Sequence, residues 1–334
     1  MIRNDAVTRS ELPTYRNTAR WRRYQPFLPP TLRLSADNLP IEEWWEWRTA
    51  LIHLDRYSVA SVRATVILLH GAGGYGRLLS PYALLLQRAG YEVVAPDLPG
   101  YGLSQVPEAL VSHDHWVECV AELARTEHER TLRPVILFGM SLGGFLSYLV
   151  AAKCRVVSGV VATTLADPRL PLVQSQFARY KLLARIGIPV MPLFDRICGQ
   201  LRLPVKWFSR MHAIANDPAL VRVFLSDQFG AGNSMSVHFL HALFSPQPAL
   251  EPEEFHQCPV LLAHPAADQW TTVQASRQFF DRLSVPKRLV LLDQCGHFPI
   301  EEPGLTQLKD VVLGFLQDVC NDAVDRDTAK GQET

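Results

Sequence analysis

The sequence predicts an α/β fold: a mostly parallel central sheet flanked by helices, with a helical cap insertion. Three observations carry that expectation. Short, continuous apolar runs alternate with helical stretches, the pattern of parallel strands buried on both faces. Between about Asp167 and Glu254 that rhythm stops, prolines and helical patterns take over, and the alternation then resumes. At 334 residues, 48% of them apolar, the chain can bury one large core or two small ones.

Residues 1–48 read as an N-terminal extension. The first 40 are polar, with Arg20, Arg22, Arg23 and the prolines Pro26, Pro29 and Pro30, and predict a poorly ordered lead or a strap anchored by Trp21, Tyr24 and Phe27. The core is assigned to residues 49–166 and 255–322. Thr49–His53 and Arg56–Val62 read as a hairpin, and Ala64–Leu69 as a buried strand followed by a glycine loop and a helix near Tyr82–Ala89. Tyr91–Ala95 is the next strand, and a helix covers about His115–Arg130. Arg133–Phe138 is a strand running into a helix over Phe145–Ala152, and Val156–Thr163 is another strand. After the insertion come strands Val260–His264 and Arg288–Leu292, with a helix over Val273–Leu283 between them and a closing helix near Leu305–Val319. Residues 323–334 are expected to be a disordered tail. The cap, residues 167–254, shows helical patterns at Gln174–Ile186, Pro204–Ile214, Pro218–Phe229 and Ser236–Phe244 and no apolar strand. Ligands of such sheets bind beyond the carboxyl ends of the strands, so the cap should roof the site.

Charge and composition narrow the partners. Lys and Arg total 33 and Asp and Glu 33, so no basic footprint for nucleic acid exists. The longest apolar candidate for a bilayer span, Val135–Ala152, is interrupted by glycines and a serine. The start, Met1-Ile2-Arg3-Asn4-Asp5, lacks the apolar core of a secretory signal, and six cysteines are scattered without metal-ligand spacing. A soluble cytoplasmic protein with reduced thiols is therefore expected. The one stretch that suggests a lipid interface is residues 20–47, where Arg20, Arg22 and Arg23 stand near Trp21 and the Trp44/Trp45/Trp47 cluster. Prolines, and the charges of Glu42, Glu43 and Glu46, argue against it. Nothing in the sequence fixes an oligomeric state.

The chemistry concentrates at strand ends. Gly139-Met140-Ser141-Leu142-Gly143 fits G-x-S-x-G between a strand and a helix, so Ser141 must sit on a sharp turn with its hydroxyl exposed beside a helix N-terminus. A serine hydroxyl is too weak an acid to attack unaided and needs a base and an acid that orients the base. His297 lies in Cys295-Gly296-His297-Phe298-Pro299 after one strand, and Asp268 in Pro265-Ala266-Ala267-Asp268 after the strand before it. Taken singly, a loop His is more often a packed or surface residue and a loop Asp a turn former. At consecutive strand ends beside the Ser141 turn, the joint reading as base and acid prevails. Asp293 also ends a strand and is the competing acid. Cys295, two residues from His297, reads as a packing thiol. His70-Gly71-Ala72-Gly73-Gly74 follows a strand, and its small residues suit an oxyanion hole whose donors would be the N–H groups of Ala72 and Leu142. A dinucleotide loop is the alternative for those glycines. Gly71 to Gly76 matches G-x-G-x-x-G in letters only, and Asp97 is the sole acid placed for a ribose, so no cofactor and no metal is called for.

Five landmarks now stand in order: His70–Gly73, Asp97-Leu98-Pro99-Gly100-Tyr101-Gly102-Leu103-Ser104, Gly139–Gly143, the Asp268 loop and Gly296-His297-Phe298. In these, about Arg63–Ala166 and Cys258–Val319 resemble the α/β-hydrolase superfamily. The His-Gly-Ala-Gly loop and the cap are similar to those of the monoacylglycerol lipase and lysophospholipase group and of capped serine esterases. The elbow carries Met140 where many lipases of that kind carry His. Haloalkane dehalogenases and epoxide hydrolases of the superfamily use Asp at the nucleophile position, and proline iminopeptidases carry a Trp in the elbow; neither feature is present. The resemblance implies a serine hydrolase that cleaves a carboxylic ester, of the monoacylglycerol or lysophospholipid kind, through an acyl-enzyme on Ser141. Thioester or lactone cleavage and C–C bond hydrolysis on the same triad remain open, as does a non-catalytic ligand receptor, against which the intact triad argues. The expected partner is a small ester with an apolar acyl part. Leu170, Phe177, Leu182, Ile186, Met191, Phe194, Trp207, Phe208, Met211, Phe224, Phe239 and Phe244 supply the cap with material for its pocket.

Overall fold

A computed structural model describes residues 12–180 and 182–331. The elements in chain order are β1 (Ile41–Trp47), β2 (Ala50–Tyr57), β3 (Thr65–Leu69), α1 (Ser80–Arg88), β4 (Glu92–Pro96), α2 (His113–Thr131), β5 (Val135–Gly139), α3 (Leu142–Lys153) and β6 (Val157–Ala162). The cap follows with α4 (Pro171–Phe177), α5 (Ile188–Cys198), β7 (Arg202–Pro204), α6 (Val205–Phe208), α7 (Pro218–Ser226), β8 (Ser234–Ser236) and α8 (Val237–Phe244). The chain closes with β9 (Val260–Pro265), α9 (Val273–Phe280), β10 (Lys287–Leu292) and α10 (Gly304–Gly331).

Eight strands form one sheet in the order β1-β2-β4-β3-β5-β6-β9-β10. Strands β3 to β6, β9 and β10 pair in parallel, and β2 and β1 are antiparallel additions at one side. The central strands are buried on both faces, as their unbroken apolar runs require. On β3, Ile67 and Leu69 join the cluster of Trp116 (α2) and Phe145 (α3), while Val66 and Leu68 join that of Tyr82 (α1) and Leu308 (α10). The period of two thus sends alternate side chains into opposite layers. Local signals set the helix ends: the Ser112 hydroxyl accepts from His115 N–H at the start of α2, and Leu132 in a left-handed conformation (φ 53°) ends it.

Several expectations need correction. The hairpin lies earlier than its apolar residues suggest: Ile41 pairs with Arg56 and Trp47 with Ala50, across a turn at Arg48 (φ 54°). Two of the glutamates in that strand are paired, Glu42 with His53 and Arg77 and Glu43 with Arg56. The sheet therefore begins at Ile41, within the residues assigned to the extension. Trp44 and Trp45 lie in the edge strand itself, half-buried, and Trp47 is buried. Residues 12–40 form a strap with Tyr15, Trp21, Tyr24, Leu28 and Leu32 buried; Phe27 is only half-buried, and residues 1–11 of the extension lie outside the described residues. The cap carries a two-stranded β7–β8 pair, and α5 forms despite Pro189 and Pro192. Helix α10 runs to Gly331 through most of the expected disordered tail, whose residues 332–334 lie outside the described residues. Among the described residues no helix is long and apolar enough to cross a membrane.

Candidate active site

The tight passage from β5 into α3 builds the elbow. A Cβ on Gly139 would overlap the Gly143 carbonyl, and one on Gly143 would overlap the carbonyl of Leu69 on the neighbouring strand. Glycine at both places lets the turn close, and Ser141 between them takes φ 54° and ψ −125°, a conformation side chains rarely adopt. The neighbouring strand ends hold it there: Ser141 N–H donates to the buried Thr163 hydroxyl after β6 (3.0 Å), and Met140 N–H to Leu69 O at the end of β3 (2.9 Å).

The loops after β9 and β10 bring two more side chains to Ser141. The Ser141 hydroxyl donates to His297 Nε2 (2.6 Å), and His297 Nδ1–H donates to Asp268 Oδ2 (2.8 Å). This network fixes the imidazole tautomer. Asp268 Oδ1 accepts from the N–H groups of Trp270 (2.7 Å) and Thr271 (2.9 Å). Burial opposes the Asp268 charge, but the adjacent His297 ring and those two N–H groups outweigh it and hold the carboxyl below the usual range. Trp270 packs on the imidazole with ring centroids 4.9 Å apart. The competing acid, Asp293, is exposed and turned away: its Oδ2 accepts from Gln307 Nε2 on α10 (2.8 Å). Cys295 is buried, its thiol donates to Glu301 O (3.0 Å), and burial pushes its pKa up to about 12, so it is a packing group.

Ala72, Ser141 and Leu142 line one cleft. Among the described residues neither Ala72 N–H nor Leu142 N–H donates a hydrogen bond within the protein. The loop that carries Ala72 is pinned by His70, whose Nδ1–H donates to Gly71 O (2.9 Å) while Nε2 accepts from Leu98 N–H (3.0 Å). Burial drives the His70 pKa down to about 4, so the neutral ring that both bonds demand is the form present at neutral pH. The sequence offered His70 only as a landmark and Asp97 only as a landmark and the acid of a discounted dinucleotide loop, and it did not point to Thr163. Its signal was a hydroxyl residue at the end of the strand beside the elbow.

Two recesses meet at Ser141. One, of about 560 Å³, is lined by Leu142, Val173, Phe177, Leu243, Phe244 and Trp270, among others. The other, of about 410 Å³, is lined by Leu78, Ile214, Phe224, His297 and Phe298. Phe177 and Phe244 also wall a larger, solvent-open groove of the cap, of about 990 Å³, with Met191, Phe194, Phe208 and Leu240. Other expected pocket residues point outward: Leu182, Ile186 and Trp207 are exposed.

Comparisons with known proteins agree with this architecture. A family model described as serine aminopeptidase, S33, matches residues 60–304. Over 253 residues the chain is 26% identical to Protein ABHD8 of Homo sapiens, an alignment covering 73% of this chain and 54% of that protein. The chain thus spans about half the length of that relative. A solved structure of monoacylglycerol lipase from Paleococcus ferrophilus superposes with a TM-score of 0.64 at 22% identity, covering 80% of this chain and 99% of the other. That of a soluble variant of monoglyceride lipase from Saccharomyces cerevisiae, in complex with a substrate analog, gives 0.69 at 15% identity, with coverages of 87% and 98%. At these identities the structural likeness concerns the fold. Since the family model spans most of the chain, including β3 to β10, the elbow and the loops of Asp268 and His297, the chain belongs to the serine aminopeptidase S33 family of α/β-hydrolases.

Proposed function

We propose that the protein is a serine hydrolase that cleaves a carboxylic ester with an apolar acyl part through an acyl-enzyme on Ser141. The observation that carries this reading is the hydrogen-bonded line Ser141–His297–Asp268 opening between two largely apolar recesses. In the first half-reaction His297 Nε2 takes the hydroxyl proton while Ser141 Oγ attacks the ester carbonyl. The N–H groups of Ala72 and Leu142 receive the oxyanion, and Asp268 stabilises the imidazolium. Collapse expels the alcohol, protonated by His297; a water deprotonated by the same ring then releases the acid and regenerates Ser141.

The recess walls favour an acyl group over a peptide N-terminus. Among the described residues, none lining the 560 Å³ recess carries a carboxylate to receive an α-ammonium, whereas Val173, Phe177, Leu243 and Phe244 suit a hydrocarbon chain. The monoacylglycerol and monoglyceride lipases among the structural neighbours support the same substrate class. The outer side of the cap adds to it: Leu193, Phe194 and Ile197 on α5 and Trp207 on α6 are exposed, with Arg185, Arg196 and Lys206 among them. Such a mixture of apolar and cationic groups fits an ester met at an anionic lipid surface.

The test is a p-nitrophenyl ester series from acetate to octanoate on the wild type and Ser141→Ala, with fluorophosphonate labelling alongside. Each methylene buried should contribute about 0.8 kcal/mol, so kcat/KM should rise about fourfold per carbon until the recess ends. Ser141→Ala should lose both turnover and label. A flat or falling series would reject the acyl recess in favour of lactone or C–C hydrolysis, and unchanged turnover in Ser141→Ala would reject the mechanism.

A further inference from the structure

Two buried tyrosines of the strap, Tyr15 and Tyr24, each donate to a carboxylate, one in the core and one in the cap. Tyr15, fully buried, donates its hydroxyl to Asp97 Oδ2 (2.7 Å), just beyond the end of β4. The same carboxylate accepts Gly76 N–H at Oδ1 (2.7 Å) and Leu103 N–H at Oδ2 (2.8 Å). Gly76 closes the loop that begins at His70, and Leu98, next to Asp97, donates to the His70 ring. Both ends of the segment that carries Ala72 are therefore tied to Asp97 and its neighbour.

The second carboxylate is Asp227, buried at the end of cap helix α7. Its Oδ2 accepts from two phenols, Tyr24 of the strap (3.1 Å) and Tyr75 of the same 70–76 loop (2.9 Å). Tyr75 in turn stacks on Tyr15, with centroids 5.4 Å apart and planes at 16°. The strap is held in place by Tyr15 N–H and the Thr14 hydroxyl on Glu42 (2.7 and 2.8 Å), and by Trp21 Nε1–H on Tyr15 O (2.9 Å). Arg23 adds a bond to Ser226 of α7 (2.6 Å).

We infer that the strap is a positioning clasp for the oxyanion loop: Tyr15, through Asp97 and Tyr75, fixes where the Ala72 N–H points, and Tyr24, through Asp227, fixes the cap against that loop. This rests on the reading of Ala72 as an oxyanion donor. A donor displaced by a fraction of an ångström loses its worth in the transition state while the ground-state complex hardly changes, so the effect should fall on kcat. Tyr15 and Tyr24 touch no reacting atom and act through other groups.

The experiment compares full-length wild type with Tyr15→Phe, Tyr15→Ala and Tyr24→Phe, all below their melting temperatures. Tyr15→Phe keeps the stack on Tyr75 and loses the bond to Asp97; Tyr15→Ala loses both. On p-nitrophenyl acetate the expected kcat losses are about threefold and about tenfold, with KM within about twofold of wild type. Amide exchange in residues 70–79 should quicken about tenfold in Tyr15→Ala while β5 keeps its protection. Tyr24→Phe should quicken exchange in 70–79 and in α7 to a smaller degree, and it serves as the milder variant should Tyr15→Ala not fold. Unchanged exchange in 70–79, or a lowered melting temperature with kcat intact, would overturn the clasp. Exchange needs no substrate, so a wild type inert towards esters would reject the proposed function while the exchange arm still decides about the strap.

Discussion

Replacing Asp268 by asparagine isolates the role of the acid, because the structure dictates how the amide must sit. Asp268 Oδ1 accepts from two backbone N–H groups, those of Trp270 and Thr271, and only an oxygen can do so. The asparagine NH₂ must then take the place of Oδ2, 2.8 Å from His297 Nδ1. A donor facing Nδ1 makes that nitrogen an acceptor and moves the ring proton to Nε2, where it faces the Ser141 hydroxyl, 2.6 Å away, and cannot accept its proton. The best-studied serine triad loses about 10⁴ in kcat on this change, about 5.4 kcal/mol of transition-state stabilisation. The same loss is expected here, with little change in melting temperature because all three bonds to residue 268 persist. Asp293→Asn disturbs only an exposed bond to Gln307, so its kcat should stay within about twofold of wild type. Steady-state kinetics on p-nitrophenyl butyrate, normalised to the fraction labelled by fluorophosphonate, measures both. Equal losses, or a larger one for Asp293→Asn, would refute the assignment of the acid and the amide-orientation argument.

Two further outcomes follow from the site and the cap. The folded pKa of His70, about 4, lies below the usual value of 6.5 because burial disfavours the charged ring, so the unfolded chain binds the proton first. The stability due to neutral His70 is thus complete above about pH 6.5 and is lost as pH falls towards 4; urea unfolding of wild type and His70→Gln between pH 7 and 4.5 should show a steeper decline in the wild type, and parallel curves would exclude it. If the exposed α5 side chains meet anionic lipid, the protein should pellet with anionic liposomes at low salt, Leu193→Ser/Ile197→Ser should abolish pelleting, and Arg196→Gln should weaken it about fivefold; absence of pelleting in the wild type would reject lipid contact at the cap.

Most of the central sheet was legible because its strands are buried on both faces and show as unbroken apolar runs, from Thr65–Leu69 to Val260–Pro265. The residues brought to Ser141 were legible for a related reason: Asp268 follows such a strand and His297 the parallel edge strand beside it, and parallel strands deliver their loops to one edge. What escaped was held by side-chain pairing. The β1–β2 hairpin has no Asn-Gly turn, and its glutamates look solvent-facing until Glu42 finds His53 and Glu43 finds Arg56. The pinning of the His70–Gly74 loop by His70, and of the elbow by Thr163, needs partners 28 and 22 residues away, distances at which a sequence carries no local sign of contact. In the cap, Pro192 inside α5 hid a helix that tertiary contacts sustain, and the same contacts leave large apolar side chains outside where periodicity alone would put them in the core.

The backbone at Ser141 has a consequence for how this protein can change. Its φ of 54° and ψ of −125° cost of order 1–3 kcal/mol, against a net folding stability of about 5–15 kcal/mol for an ordinary domain. Glycine would adopt that conformation without strain, so the residue best suited to the turn is one that cannot attack a carbonyl. Selection for thermal survival alone would therefore drive position 141 away from the hydroxyl and towards glycine.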